Sequence, residues 1–132
     1  MKNSNRKRKS GRDLGLVGEK VAVDYLVEEG YTILETNYRF SRLGEIDIIA
    51  ADDEYICFIE VKTRGGLLFG TPSEAVNKVK QDRIKSLAKV YISQRNLFNK
   101  NIRFDVIEVF IHSKNGNHKQ VINVNFIKNA FY

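Results

Sequence analysis

Glu45-Ile46-Asp47-Ile48-Ile49-Ala50, the acidic turn Asp52-Asp53-Glu54, and Tyr55-Ile56-Cys57-Phe58-Ile59-Glu60-Val61-Lys62 together decide how this chain folds. Residues two apart on a strand share a face. Glu45 and Asp47 therefore fall on one face of the first run, and Glu60 and Lys62 on one face of the second. A two-residue turn at Asp53-Glu54 pairs Asp52 with Tyr55, and counting back along both strands sets Asp47 opposite Glu60 and Glu45 opposite Lys62. Directly opposed Cβ atoms sit about 4.5–5.5 Å apart. Two carboxylates at that spacing repel, so a sheet tolerates them only where water reaches them or a cation lies between. Carboxylates suit hard divalent ions such as Mg²⁺ or Mn²⁺, with water and phosphate oxygens completing the shell. A lysine one pleat along can orient a water or neutralise charge developing on a phosphate. Asp…Glu-x-Lys on paired strands is thus a recipe for metal-assisted phosphodiester hydrolysis. The competing reading is a solvated sheet face carrying a Glu–Lys pair.

Outward from this hairpin the pattern is regular. Upstream, Leu14, Val17, Gly18, Val21, Ala22, Tyr25 and Leu26 recur at steps of three and four, one face of a helix that Gly30 stops. Glu19 lies at the margin of that face. Tyr31 to Phe40 reads as a strand, with a turn at 41–44. Downstream, Arg64 to Gly70 reads as a mobile loop, and its Gly65-Gly66 lacks the following Gly-Lys-Ser/Thr of a phosphate-binding loop. Thr71-Pro72-Ser73-Glu74 has the form of a capping box with proline at the first helical position. It predicts a helix to about Arg95 with Val76, Val79, Ile84, Leu87, Ala88 and Tyr91 buried. Ile102 to Ile111 reads as a central strand, His112 to Gln120 as a hairpin turn around Asn115-Gly116, and Val121 to Ile127 as a last strand. The order is α-β-β-β-α-β-(β). A helix between the third and fourth strands implies that they run parallel, giving an α/β fold with a mixed central sheet flanked by helices.

The chain has 132 residues and 42% hydrophobic residues, which suits a single domain with a real core. Its longest apolar run, Tyr55 to Ile59, is far short of the roughly 20 residues of a membrane helix. No apolar segment follows the basic start, so no signal peptide is expected and the location predicted is cytoplasmic. Cys57, alone in that apolar run, reads as a small core residue. The net charge of +6 belongs to residues 1–12, which hold Lys2, Arg6, Lys7, Arg8, Lys9 and Arg12 and no acid. That stretch predicts a disordered basic tail ahead of a domain over 13–132. Residues 13–60 carry twelve acids against Lys20, Arg39 and Arg42, net −9, and residues 61–132 carry net +9. The halves can simply attract each other, or can set an acidic cluster beside a basic surface, as a metal-dependent enzyme on a polyanion requires.

Further residues carry a resemblance: Gly18-Glu19, Asn37-Tyr38-Arg39, Gly44 to Ala50, Phe58 to Arg64, Phe69-Gly70, Lys80-Gln81, Arg103 to Val106, and Asn129-Ala130-Phe131. In this order, from about residue 12 to the end, the chain resembles the YraN-like family of small bacterial proteins. That family is similar to archaeal Holliday junction resolvases and to the PD-(D/E)xK, or restriction-endonuclease-like, fold. The resemblance implies an αβββαβ core with a divalent-metal site. It implies Asp47, Glu60 and Lys62 as catalytic residues, and Glu19, Asp47, Glu60 and the backbone carbonyl of Val61 as metal ligands. Arg64, Lys80 and Gln81 are the candidates for phosphate contact. No proline precedes Asp47; Gly44-Glu45-Ile46-Asp47 stands in place of the strict motif.

Two functions from different classes follow. One is a Mg²⁺- or Mn²⁺-dependent endonuclease cutting DNA phosphodiester bonds, of branched or flapped DNA. The other is a non-catalytic nucleic-acid-binding or assembly protein that keeps the fold. DNA is the partner expected; RNA would attract the tail by the same electrostatics, no membrane partner is expected, and branched-DNA enzymes often act as homodimers. His112 and His118 read as turn residues, and Arg103 with Asp105 as a structural pair.

Overall fold

A computed structural model describes residues 11–65, 76–113 and 120–132. Helix α1 spans Gly11–Glu28, and strands β1 (Thr32–Arg39), β2 (Glu45–Ala51) and β3 (Tyr55–Gly65) follow. Helix α2 (Lys78–Arg95) leads to β4 (Asn101–Ser113) and β5 (Gln120–Phe131). The strands form one sheet in the order β1-β2-β3-β4-β5. All neighbours are antiparallel except β3 and β4, which the crossover through α2 makes parallel. The architecture is α/β with a mixed sheet between two helices, consistent with a restriction-endonuclease-like αβββαβ core.

Each helix covers one face. Ala22 and Leu26 of α1 bury against Ile48, Ala50, Cys57, Ile59, Ile107 and Val109. Ile84, Leu87, Ala88 and Tyr91 of α2 pack on Ile46, Ile49, Ile56, Phe58 and Phe104. Phe58 sits at the centre of that second layer, tilted against Phe104 at 5.7 Å and edge-on to Tyr91 at 6.1 Å between centroids. Helix α1 lies close on the sheet at Gly18, where an added Cβ would collide with the Thr63 side chain, 2.9 Å from its Cβ. Cys57 is fully buried in the α1 layer, as its apolar run implies.

Several boundaries differ from the sequence reading. Strand β3 continues through Arg64 and Gly65, because both keep parallel pairing, with Phe110 and Ile111 of β4. The rest of the predicted loop lies outside the described residues, as does Thr71-Pro72-Ser73-Glu74. Helix α2 begins at Lys78, with Asn77 as its cap: the Asn77 side chain accepts from the Lys80 amide, and Val76 precedes the helix. Val79, predicted to be buried, is exposed instead; starting the helix at Lys78 aims its core face through Ile84, Leu87, Ala88 and Tyr91. Strand β5 runs four residues further than expected, to Phe131, which caps the α2-side core. Gly11 and Arg12 of the predicted tail belong to α1, and residues 1–10 lie outside the described residues. So do residues 114–119, which contain the predicted Asn115-Gly116 turn and His118; the pairs His112↔Val121 and Ser113↔Gln120 flank them. Among the described residues, no helix is long and apolar enough to cross a membrane.

Arg103 and Asp105 form the structural pair expected. Arg103 Nε donates to both Asp105 carboxylate oxygens at 2.9 and 3.0 Å, and its Nη2 to the Tyr31 hydroxyl at 2.9 Å. Asp105 also accepts from the Asn129 amide at 2.9 Å. A buried charge is tolerable only when paired and hydrogen-bonded in this way.

Candidate functional site

The β2–β3 ladder has the predicted register, with Ile48↔Ile59, Ile49↔Phe58, Ala50↔Cys57 and Ala51↔Ile56 as pairs. It stops one step short of Asp47 and Glu60. There the Asp47 side chain takes over: its Oδ2 accepts the Val61 amide at 2.8 Å. Strand alternation also breaks at this point. Ile46 packs in the α2-side core, and Ile48, two residues on, packs in the α1-side core. On the facing strand β1, Asn37 lies between the pairs Thr36↔Ile48 and Tyr38↔Ile46 and takes a left-handed conformation, φ 53°. The expectation that Glu45 and Asp47 share one regular face is therefore corrected. The ladder to β3 does not reach Glu45 and Lys62 either. On its other side Glu45 pairs with β1, where Arg39 Nη2 donates to its Oε1 at 2.8 Å.

The distortion gathers acids from three elements. Asp47 lines a shallow pocket with Leu16, Glu19 and Val23 of α1 and with Thr36 and Asn37 of β1. Asn37 Nδ2 donates to Glu19 Oε1 at 3.0 Å and to Glu45 Oε2 at 2.6 Å, bridging two carboxylates with one amide. Glu60 points to the α2 side, is 5% exposed, and pairs with the Lys80 ammonium. Burial, first, and then the charges of Glu60 and Glu19 push the Asp47 carboxyl up to about 8, against the weaker downward pull of the Val61 amide and Lys80. Asp47 thus feels the charges of both Glu60 and Glu19. That is the field a divalent cation relieves, and an all-oxygen carboxylate set fits a hard ion such as Mg²⁺ in kind.

The predicted residues meet only in part. Among the described residues, no three carboxylate, histidine or cysteine side chains converge closely enough to hold a metal ion. Glu60 is held by Lys80, and Glu19 by Asn37. Lys62 follows Glu60 by two residues on β3 and pairs by register with Glu108 of β4. Glu108 is buried, with one carboxylate oxygen accepting from Asn125 Nδ2 at 2.8 Å. Arg64 lies further along β3. Gln81 is engaged within its own helix start: its Nε2 donates to the Val76 carbonyl at 2.7 Å. Sequence reasoning missed Asn37 and Glu45 as partners of the acids. An asparagine inside a β-rich run, where the residue is disfavoured, was the available signal.

The sequence profile of the "Uncharacterised protein family UPF0102" matches residues 18–109 of this chain, a span that contains every candidate from Glu19 to Gln81. A UPF0102 protein of Acetivibrio thermocellus is 47% identical over 129 residues, covering 98% of this chain and 95% of the relative. Another, from Clostridium botulinum strain 657, is 50% identical over 121 residues, covering 91% and 94%. A third, from Caldicellulosiruptor bescii, is 50% identical over 121 residues, covering 91% and 98%. With the profile spanning α1 to β4 and relatives matching almost end to end, the chain belongs to the UPF0102, or YraN-like, family.

Proposed function

We propose that this protein is a metal-dependent endonuclease that hydrolyses DNA phosphodiester bonds, with branched or flapped DNA as its substrate class. The observation that carries the reading is the Asp47 carboxyl, burdened by the charges of Glu60 and Glu19 at a break between two strands, with Lys62 next but one to Glu60. Glu19, Asp47, Glu60 and the Val61 carbonyl would hold Mg²⁺ or Mn²⁺. When bound, the ion would supply Lewis-acid polarisation of a phosphate and a more acidic water. Lys62 orients the attacking water or neutralises charge on the phosphate. Arg64, Lys80 and Gln81 are the proposed phosphate contacts; Gln81 must leave the Val76 carbonyl to serve. A cytoplasmic location is part of the same proposal.

The ion pair between Lys80 and Glu60 favours a second reading, a non-catalytic nucleic-acid-binding or assembly protein. It neutralises the buried acid without any metal. One screen separates the two. Purified protein is offered single-stranded, duplex, flap and four-way-junction DNA with Mg²⁺, Mn²⁺ or EDTA. Cleavage that needs metal and is largely lost in Glu60→Gln and Lys62→Ala is the expected result. Cleavage persisting in EDTA, or unchanged in both variants, rules out the proposed site. DNA binding without cleavage under every condition selects the second reading.

A further inference from the structure

Lys80 stands in the first turn of α2, half in solvent, and its ammonium is paired with the nearly buried Glu60. The helix start does not depend on this pairing, because Asn77 caps the Lys80 amide with its own side chain. A buried carboxylate needs a counter-charge. Lys80 provides it, and a divalent ion held by Asp47 and Glu60 would compete for the Glu60 oxygens. We propose that Lys80 is a built-in counter-ion, displaced from Glu60 by the metal and thereby freed to bind a nucleic-acid phosphate, so that metal loading strengthens nucleic-acid binding.

This inference rests on the metal-dependent reading above and deepens it. The geometry gives the released ammonium somewhere to go. Lys80 lines a groove between the start of α2 and the β1–β2 turn, together with Asn77, Arg83, Leu43, Gly44 and Glu45, whose carboxylate is already held by Asn37 and Arg39. Gly44 leaves that wall open: the Arg83 stem passes 3.9 Å from where a Cβ would stand. A lysine is a compact point charge on a flexible stem, suited to exchanging one oxygen partner for another. The two binding events are then coupled, and the coupling is reciprocal: whatever factor metal adds to DNA affinity, DNA adds to metal affinity.

The test measures binding on the full chain. Mn²⁺ is titrated calorimetrically into wild type, Lys80→Gln and Lys80→Arg, with circular dichroism confirming that each is folded. Affinity for a labelled DNA duplex is measured in EDTA and in Mn²⁺, in a Lys62→Ala background so that the duplex stays intact. Lys80→Gln should bind Mn²⁺ about tenfold tighter than wild type, within the usual range of coupling between sites. Lys80→Arg should stay close to wild type. Mn²⁺ should strengthen duplex binding by the lysine form and do so much less in Lys80→Gln. Mn²⁺ binding by Lys80→Gln alone would support the proposal most strongly. Equal or weaker Mn²⁺ binding by Lys80→Gln overturns it while leaving the metal site standing. No Mn²⁺ binding by any form overturns both.

Discussion

Asp47 concentrates the tension in this molecule. Its carboxyl is raised from 3.8 to about 8, first by burial and then by Glu60 and Glu19. The folded chain therefore keeps a proton there that the unfolded chain has lost above about pH 4. Folding takes up that proton, so this contribution to stability is fully present below about pH 4 and disappears as the pH climbs through about 8. Asp47→Asn has no such group. In EDTA its stability relative to wild type should grow with pH, reaching on the order of 1–3 kcal/mol by about pH 9. Thermal melts near pH 5 and pH 9 measure the gap, and a gap that does not widen contradicts the account. The register of the β2–β3 ladder up to Ile48 and Ile59 could be counted from the acidic turn. The break could not, since it arises when a side chain wins the Val61 amide from the backbone ladder. Such competition is settled by three-dimensional packing, not by alternation along one strand.

At the scale of elements, the contact between α1 and β3 matters most, because α1 carries Glu19 to the site. Gly18 allows it. Gly18→Ala would drive a methyl group into Thr63, whose short branched side chain cannot swing away as a long one could. Overpacking of this kind costs about 1–3 kcal/mol. Gly18→Ala should lower the melting temperature and, by lifting α1, weaken metal binding. Gly18→Ala with Thr63→Ala, which removes the hydroxyl nearest the added Cβ and the methyl beside it, should recover part of both. Gly15→Ala, where nothing stands within 4 Å, is the control. Equal stability of the two alanine variants would remove the close approach from the account. Helix α1 itself was legible from its three-four periodicity. The start of α2 was not: Asn77 has no acid in the first turn behind it, so its local signal is weaker than that of Thr71-Pro72-Ser73-Glu74.

For the whole molecule, charge is the long-range lever. Residues 1–10 hold Lys2, Arg6, Lys7, Arg8 and Lys9 and no acid. Each duplex phosphate they neutralise adds a slope of about −0.9 to log K against log[salt]. Deleting residues 1–10 should weaken duplex binding at low salt and flatten that slope by at most about 4.5. Turnover at saturating DNA should hold, because Glu19, Asp47, Glu60 and Lys62 remain. Identical slopes for full-length and truncated protein would mean that the tail does not touch DNA. The overall topology was legible for a simple reason: every strand neighbours its successor, and one helix-length connection marks the one parallel pair. The links between Asn37, Glu19 and Glu45, and between Lys80 and Glu60, were not, because they join residues from separate elements.

That same strand order has a kinetic consequence. Strands β1, β2 and β3 close through short turns, whereas β3 meets β4 only after the chain carrying α2 has looped back. Short loops close at smaller entropic cost, and local contacts form sooner than distant ones. Asp47 and Glu60 are therefore brought together while Lys80 is still on an undocked segment, and the nascent hairpin forms against its own repulsion. Asp47→Asn should consequently speed refolding above about pH 8 and not merely slow unfolding, a distinction that stopped-flow traces on both limbs of a chevron read directly.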